Sequence, residues 1–388
     1  MPILPGLRRN GKTILALILA AAIFVGLYLY AHGGTTAPSQ QAEEYAEYES
    51  GKVLEILTDN CEPDPTAEGA YRGEQTLLVE VTSGQYKGQT ILTDNAVGPL
   101  YGEPAKAGQR VTLILSTYAD GTVRASVYEY DRSLPIALVL AVFFLVTVLV
   151  GGKTGAKSIL GLAFSVAVLL LLLIPLLMKG WPTIPTTFVL CAYVTVVCFL
   201  LLGGTGRKVW CACLGTVVGM ALAMAFGLAA QALTHIDGLR ISDVEPLLQL
   251  RQTGTPIGLR GLLVAGIIIS AMGAVMDVAM SVASALSELK VVNPALTWQD
   301  LWRSGMNIGR DMVGTMTNTL IMAFLGSGFT LIIYLYSLNL PFHELMSSTY
   351  LALEVVSGVA SAIGVILAIP VTALLSALLF SPPHRNKS

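Results

Sequence analysis

Long apolar stretches separated by short polar ones run through most of this chain. A helix needs about 20 apolar residues to cross a hydrocarbon core about 30 Å thick. Eight runs meet or approach that length: Thr13–Ala31, Leu134–Val150, Ile159–Met178, Thr186–Leu202, Trp210–Leu233, Gly261–Leu289, Met312–Leu338 and Leu351–Phe380. Residues 32–133 break the pattern. His32–Tyr48 is rich in Gly, Thr, Ser, Gln and Glu and reads as a linker. Short alternating segments follow, at Lys52–Leu57, Gln75–Thr82, Gln89–Leu92, Arg110–Ser116 and Thr122–Tyr130. Turn signals such as Ser83-Gly84, Lys87-Gly88, Asp94-Asn95, Ala107-Gly108 and Asp120-Gly121 divide them. Five short strands predict a small antiparallel barrel of the OB type.

Composition agrees with the membrane reading. Hydrophobic residues make up 54% of the chain and charged residues 12%, the latter about half the usual share of a soluble domain. Charge sets the orientation, because basic residues stay on the cytoplasmic side. With the N-terminus inside, the inner segments hold Arg8, Arg9, Lys12, Lys153, Lys157, Arg207, Lys208, Lys290, Arg303, Arg310, Arg385 and Lys387. The short outer loops hold Lys179, Arg240, Arg251 and Arg260. The expected protein is thus an all-α polytopic membrane protein of about eight transmembrane helices. A small β-rich, OB-like extracytoplasmic domain lies between helices one and two, and both termini are cytoplasmic. Residues 1–31 form the inner segment and an uncleaved anchor helix, and 32–48 the linker. The β-rich domain takes 49–133, a seven-helix membrane domain 134–380 and a cytoplasmic tail 381–388. Residues 32–133 carry sixteen acidic and seven basic side chains, and no basic face interleaved with aromatics points to nucleic acid.

Chemistry inside the apolar runs is the next question. Asp277 lies well within the sixth run. A carboxylate at a bilayer centre costs about 3 kcal/mol on insertion scales, so it needs water, a partner or a substrate. Ser270, Gly273, Asp277, Ser281, Ser284 and Glu288 recur at steps of three and four, which places them on one helical face. The seventh run opens on Ser304–Thr319, where Asn307, Asp311, Thr315 and Asn318 share a face and Arg310 and Thr317 the adjacent one. The sixth and seventh runs are antiparallel. Counting inward from Leu286 and Gly309 puts Asp277 and Asn318 at one level, about 13 Å deep. The expectation is an Asp277–Asn318 polar layer above an Arg310–Glu288 or Arg310–Asp277 pair. Glu354, near the outer end of the eighth run, is a further candidate. Gly215, Gly219, Ala223 and Gly227 read as close helix packing. Gly326-Ser327-Gly328, Pro175 and Pro370 are places where helices break. Thr297 and Asp300 form an N-cap pair opening a short inner surface helix over Pro294–Arg303.

Enzymatic motifs are missing. Gly151-Gly152-Lys153-Thr154 lacks the first glycine of a phosphate loop, since position 147 is Thr. The four histidines, His32, His235, His343 and His384, lie outside the spans, so no intramembrane Ser/His pair exists. His235 with Asp237 and His343 with Glu344 read as solvated loops, and Asp277 with Asp311 has no protease-like motif beside it. No disulfide framework, cofactor or metal is expected from Cys61, Cys191, Cys198, Cys211 and Cys213.

The run SGMNIGRDMVGTMTNTL at Ser304–Leu320 resembles the signature of the YibE/F-like family of bacterial multi-span membrane proteins. GAVMDVAMSVASALSEL at Gly273–Leu289 and GVILAIPVTALL at Gly364–Leu375 support it. The resemblance covers about residues 75–380. It implies a β-rich outer segment and a seven-span body behind an anchor, in the bacterial cytoplasmic membrane, and it carries over no catalytic residue. Two functions stay open. One is a secondary transporter or exporter of a small solute or ion, with a polar intramembrane site on helices six and seven. The other is a non-transporting platform that senses or assembles partners through its outer domain. Besides the lipid bilayer, a second copy or a partner membrane protein is a candidate partner.

Overall fold

The computed structural model describes residues 4–33, 46–117, 123–236, 244–252 and 254–381. Most of the linker, the Asp120-Gly121 turn, Asp237, Arg240 and residues 382–388 lie outside the described residues. The chain divides into two compact units: Met1–Thr35 with Val148–Ser388, and Thr36–Thr147.

The smaller unit is a closed barrel. Strands β1 (Ala46–Asp59), β3 (Tyr71–Val81), β4 (Thr90–Val97), β5 (Arg110–Thr117) and β6 (Val123–Tyr130) form the ring, and β2 (Glu62–Pro63) adds a two-residue edge to β3. β1 reaches further back than the sequence suggests, so Ala46–Tyr48 belong to a strand rather than the linker. The length of β1 closes the ring, because its first half pairs with β5 and its second half with β3. Gly51 sits where the two halves meet. A Cβ there would lie 2.6 Å from Val79 Cγ1 and 2.8 Å from Leu113 Cδ1, so the strand can turn across the core only without a side chain. The last seam is a parallel step, Thr93 opposite Ala125 and Asp94 opposite Ser126. Alternation along β3 buries Gln75, Leu77, Val79 and Val81, and the last three meet Val53, Leu113 and Leu115 in one apolar core.

The larger unit is helical, and apolar all round where its helices are central. Its elements are α1 (Leu4–His32), α2 (Ser133–Val168), α3 (Ile174–Met178), α4 (Thr183–Gly203), α5 (Arg207–Thr234), α6 (Glu245–Gln252), α7 (Leu262–Val292), α8 (Trp298–Ser327), α9 (Phe329–Ser337), α10 (Phe342–Ser347) and α11 (Thr349–Phe380). The division between the units falls inside α2. Among the described residues six helical stretches are long and apolar enough to cross a membrane, or seven if the bent pair α8–α9 counts as one. One of the six, Ser133–Met178, has 46 residues. Its residues are more than one crossing of a bilayer core needs, and they belong to two helices that meet at a kink at Gly152. The inner loop expected at Gly151–Ser158 shortens to a break at Gly152 (φ 54°, ψ −134°), with helical residues on either side. Five leucines, Leu169–Leu173, form a π-helical turn just before Pro175. Proline has no N–H to return to the preceding turn, and the wider turn accommodates that gap.

Helices α5, α7 and α11 form the centre of the bundle. The glycine series of α5 lets them close up: a Cβ on Gly215 would lie 2.0 Å from Thr372 Oγ1, and one on Gly219 2.7 Å from Ala368 Cβ and 2.8 Å from Val275 Cγ1. Helices α1 and α4 pack on the far side of α5 and α7, where Val168, Leu172, Leu190, Val194, Met220 and Ile268 share a second core. Tyr193 donates its hydroxyl to Ala20 O at 2.6 Å. Lys179 donates to Tyr30 O at 2.5 Å and Gly33 O at 2.7 Å, capping the carbonyl end of α1.

Two expectations about the seventh run need correcting. The short surface helix over Pro294–Arg303 is not separate: α8 starts at Trp298 and continues into the apolar run. Thr297 and Asp300 do cap it, with a reciprocal capping box. At its other end the run does not continue straight to Leu338. It bends by 62° between α8 and α9, at Gly328, within the Gly-Ser-Gly triplet.

Candidate functional site

The core side of α7 is Leu263, Val264, Ile267, Ile268, Ala271, Val275, Val278, Val282 and Leu286, all buried. A helix with one face so committed turns the opposite face away from the bundle, and there Gly266, Gly273, Asp277, Ser281 and Glu288 are exposed. Ser270 leaves the stripe: its hydroxyl lies 2.7 Å from Ser361 Oγ of α11, so it ties two helices together. Ser284 is half-buried at the stripe's edge.

Helix α8 is built the same way. Gly305 and Gly309 face inward, where a Cβ would lie 2.8 Å from Ala373 Cβ and 2.1 Å from Ile369 Cγ2. Asn307, Arg310, Asp311, Gly314, Thr315 and Asn318 are exposed on its outer side. Thr317 turns the other way, and its Oγ1 is buried with no hydrogen-bond partner. Thr315 Oγ1 donates to Met312 O at 3.2 Å, within its own helix.

The two polar faces do not close on each other as the sequence suggested. The ion pairs Arg132–Glu103 at 3.7 Å and Arg132–Glu129 at 3.4 Å belong to the barrel unit. Neither the Arg310–Glu288 nor the Arg310–Asp277 pair forms, and no Asp277–Asn318 hydrogen bond is made. The register differs too. A Cβ on Gly305 would lie 2.9 Å from Leu286 Cδ1, so Gly305, not Gly309, is level with Leu286. Counting nine residues from each then sets Asp277 beside Gly314 and Thr315, about 13 Å along, with Asn318 a turn beyond. Asp277, Glu288, Asn307, Arg310, Asp311 and Asn318 lie on two outward faces of one bundle, and none of these six pairs with another.

Glu354 stands apart from them. It is half-buried on the first turns of α11, in a cleft of about 230 Å³ between α11 and the α8–α9 bend. The Gly-Ser-Gly triplet announced the break, and the bend falls there; the cleft wall is not evident from residue spacing.

The barrel unit has a larger open cleft, of about 790 Å³, at one end. Asp59, Glu68, Tyr71, Tyr101, Glu103 and Lys106 are among its lining residues, and Leu100 on its rim is 95% exposed. Asp59 accepts from the backbone N–H of Cys61 at 3.1 Å and from Gln75 Nε2 at 3.0 Å; these bonds hold its carboxyl below the ordinary value. Sequence inspection also missed an aromatic pair. Tyr48 of β1 and Tyr128 of β6 meet edge to face at 5.3 Å, brought together because both strands flank β5. Among the described residues no group of three or more His, Cys, Asp or Glu is placed to hold a metal ion.

Compared with known proteins, the chain matches the model of the YibE/F-like protein family over residues 139–382. That is most of the chain and nearly all of the helical unit after the barrel. The chain belongs to the YibE/F-like family, and with its long apolar helices it is a membrane protein. No curated protein and no solved structure matches it.

Proposed function

We propose that this protein is a secondary transporter or exporter whose polar route runs along the outer faces of α7 and α8. One observation carries the reading. Asp277 is an exposed, unpartnered carboxylate on a membrane-length helix, level with the polar face of the neighbouring helix. Facing lipid tails, a carboxylate costs about 3 kcal/mol or more, and Asn307, Arg310, Asp311 and Asn318 add to that. A second protein surface that encloses the stripe with water removes the cost and makes a route. The reading therefore includes a second copy, or a partner membrane protein, that covers α7 and α8. In it the chain crosses the bacterial cytoplasmic membrane eight times, Ser133–Met178 supplying two crossings, with both termini inside and the barrel outside. No phosphate loop supports ATP hydrolysis, so in this reading coupling is to an ion gradient or to a partner ATPase, and the chain performs no bond chemistry of its own.

The test is flux. In proteoliposomes a panel of ions and small metabolites is expected to include one that moves, and Asp277→Asn is expected to slow it at least tenfold with folding intact. Undiminished flux in that variant rejects the site. A purely monomeric protein in bilayers, by single-molecule bleaching, rejects a second copy as the cover and leaves a partner membrane protein as the remaining one.

A second reading is a platform that senses or assembles partners through the barrel. The barrel's large end cleft, with its exposed Leu100, Tyr71 and Tyr101, favours it. Absence of any flux together with saturable ligand binding to the barrel would select it.

A further inference from the structure

The cleft beside Glu354 has a composition that defines what it can take. Its walls are Ile321, Phe324 and Leu325 of α8, Leu331, Ile332 and Leu335 of α9, and the first turns of α11. Glu354 is the single charged residue lining it. Among the described residues no lysine, arginine or histidine lines it, and the carboxylate makes no hydrogen bond or ion pair. A half-buried charge in apolar surroundings is costly unless an opposite charge joins it.

Two glycines keep the space open. A Cβ on Gly328 would lie 3.5 Å from Glu354 Cδ, and one on Gly358 3.4 Å from the Phe324 ring. The 62° bend at Gly328 swings α9 away from the line of α8, and the cleft is the wedge that this leaves against α11. Phe324 adds an aromatic ring to the wall, and ring faces attract cations as well as apolar groups. The volume, about 230 Å³, is a little below the common range for ligand pockets. It suits a molecule of on the order of ten heavy atoms, given about 30 Å³ for each water it would displace. One carboxylate without further oxygen donors is a poor cage for a divalent metal ion, whereas a single diffuse positive charge on an apolar body matches both halves of the site.

We infer that the cleft between the α8–α9 bend and α11 binds a small lipophilic ammonium ion, with Glu354 as its counter-charge. The site is separate from the α7–α8 polar faces and stands whether or not they carry a solute. Binding of benzyltrimethylammonium to the full-length protein in phosphatidylcholine nanodiscs tests it, with empty nanodiscs subtracted. Neopentylbenzene, in which carbon replaces the charged nitrogen, is the neutral comparison.

Saturable binding of the cation is expected, at least tenfold tighter than the neutral isostere. Glu354→Gln should erase that preference while leaving the neutral compound's binding within about twofold. Val355→Phe, which puts bulk into the cleft from a position already 53% exposed, should weaken both ligands. It decides the matter if Glu354→Gln does not fold. Equal binding of cation and isostere, an unchanged cation affinity in Glu354→Gln, or indifference of both ligands to Val355→Phe overturns the proposal.

Discussion

Gln75 shows how much one polar side chain can organise inside an apolar barrel. It is 1% exposed. Its Oε1 accepts from Ala105 N at 2.7 Å and from Asn95 Nδ2 at 3.0 Å, and its Nε2 donates to Asp59. Leucine at this position would fill the volume and orphan those groups. Unsatisfied buried groups cost about 1–3 kcal/mol each, so Gln75→Leu should destabilise the barrel by about 3 kcal/mol, read by urea-dependent pulse proteolysis. Asp59 and Asp64 give the barrel an acid limit. Cys61 N–H and the Gln75 amide hold Asp59 below its usual value, and the Thr66 hydroxyl and N–H do the same for Asp64. A carboxyl depressed in the folded state adds stability that is complete above its unfolded value, about 4. That contribution is lost as pH falls through the lower folded value. Barrel protection against proteolysis should therefore be flat from neutral pH down to about 5 and decline below 4, and a decline that begins at neutral pH would contradict this.

At the scale of elements, the helices divide their small residues between two jobs. Gly219 of α5 is surrounded by Ala368 Cβ, Val275 Cγ1 and the Gly364 carbonyl at 2.7–3.3 Å from a built Cβ. Gly266 and Gly273 of α7 have nothing within 4 Å. Gly219→Ala should lower the unfolding midpoint, at a cost of about 1–3 kcal/mol for overpacking. Gly266→Ala should leave it unchanged or raised, since alanine is the better helix former by about 1 kcal/mol. Differential scanning fluorimetry on the purified protein separates the two. What could be read from the sequence follows the range of the interaction. The capping box at Thr297–Asp300 is a four-residue motif and was legible, as was the packing role of the α5 glycines. The continuity of α8 was not, because a tryptophan- and arginine-bearing first turn looks like a surface helix unless its tertiary packing is known. There Gly305 and Gly309 are held against α11, and the helix runs on.

For the whole molecule, hydropathy was enough to separate a helical membrane unit from a β-rich insert, because the two periods, 3.6 and 2, are different physical demands. Ring closure of the barrel depends on β1 spanning two partners, and the linker-like composition around Ala46–Tyr48 concealed its start. Periodicity also found the polar stripes of α7 and α8. It fixes the phase of residues within one helix and not the direction in which that helix is turned, which is why the stripes were expected to face inward and instead face out. Glu354 was visible as a lone acid, and the cleft around it arises from a bend and three helices that no local pattern records.

The cysteines carry a practical consequence. Cys191, Cys198, Cys211 and Cys213 are buried among the helices, while Cys61 in the barrel is partly open. Burial and the neighbouring Asp59 raise the Cys61 thiol, so its thiolate is scarce at neutral pH and alkylation is slow without being blocked. A bulky, membrane-impermeant maleimide should accordingly tag native protein once per chain and Cys61→Ser not at all. Applied to intact cells, the same reagent becomes a compass: a tag acquired without lysis places the barrel on the outer side, and one acquired only after lysis turns the whole assignment of sides around.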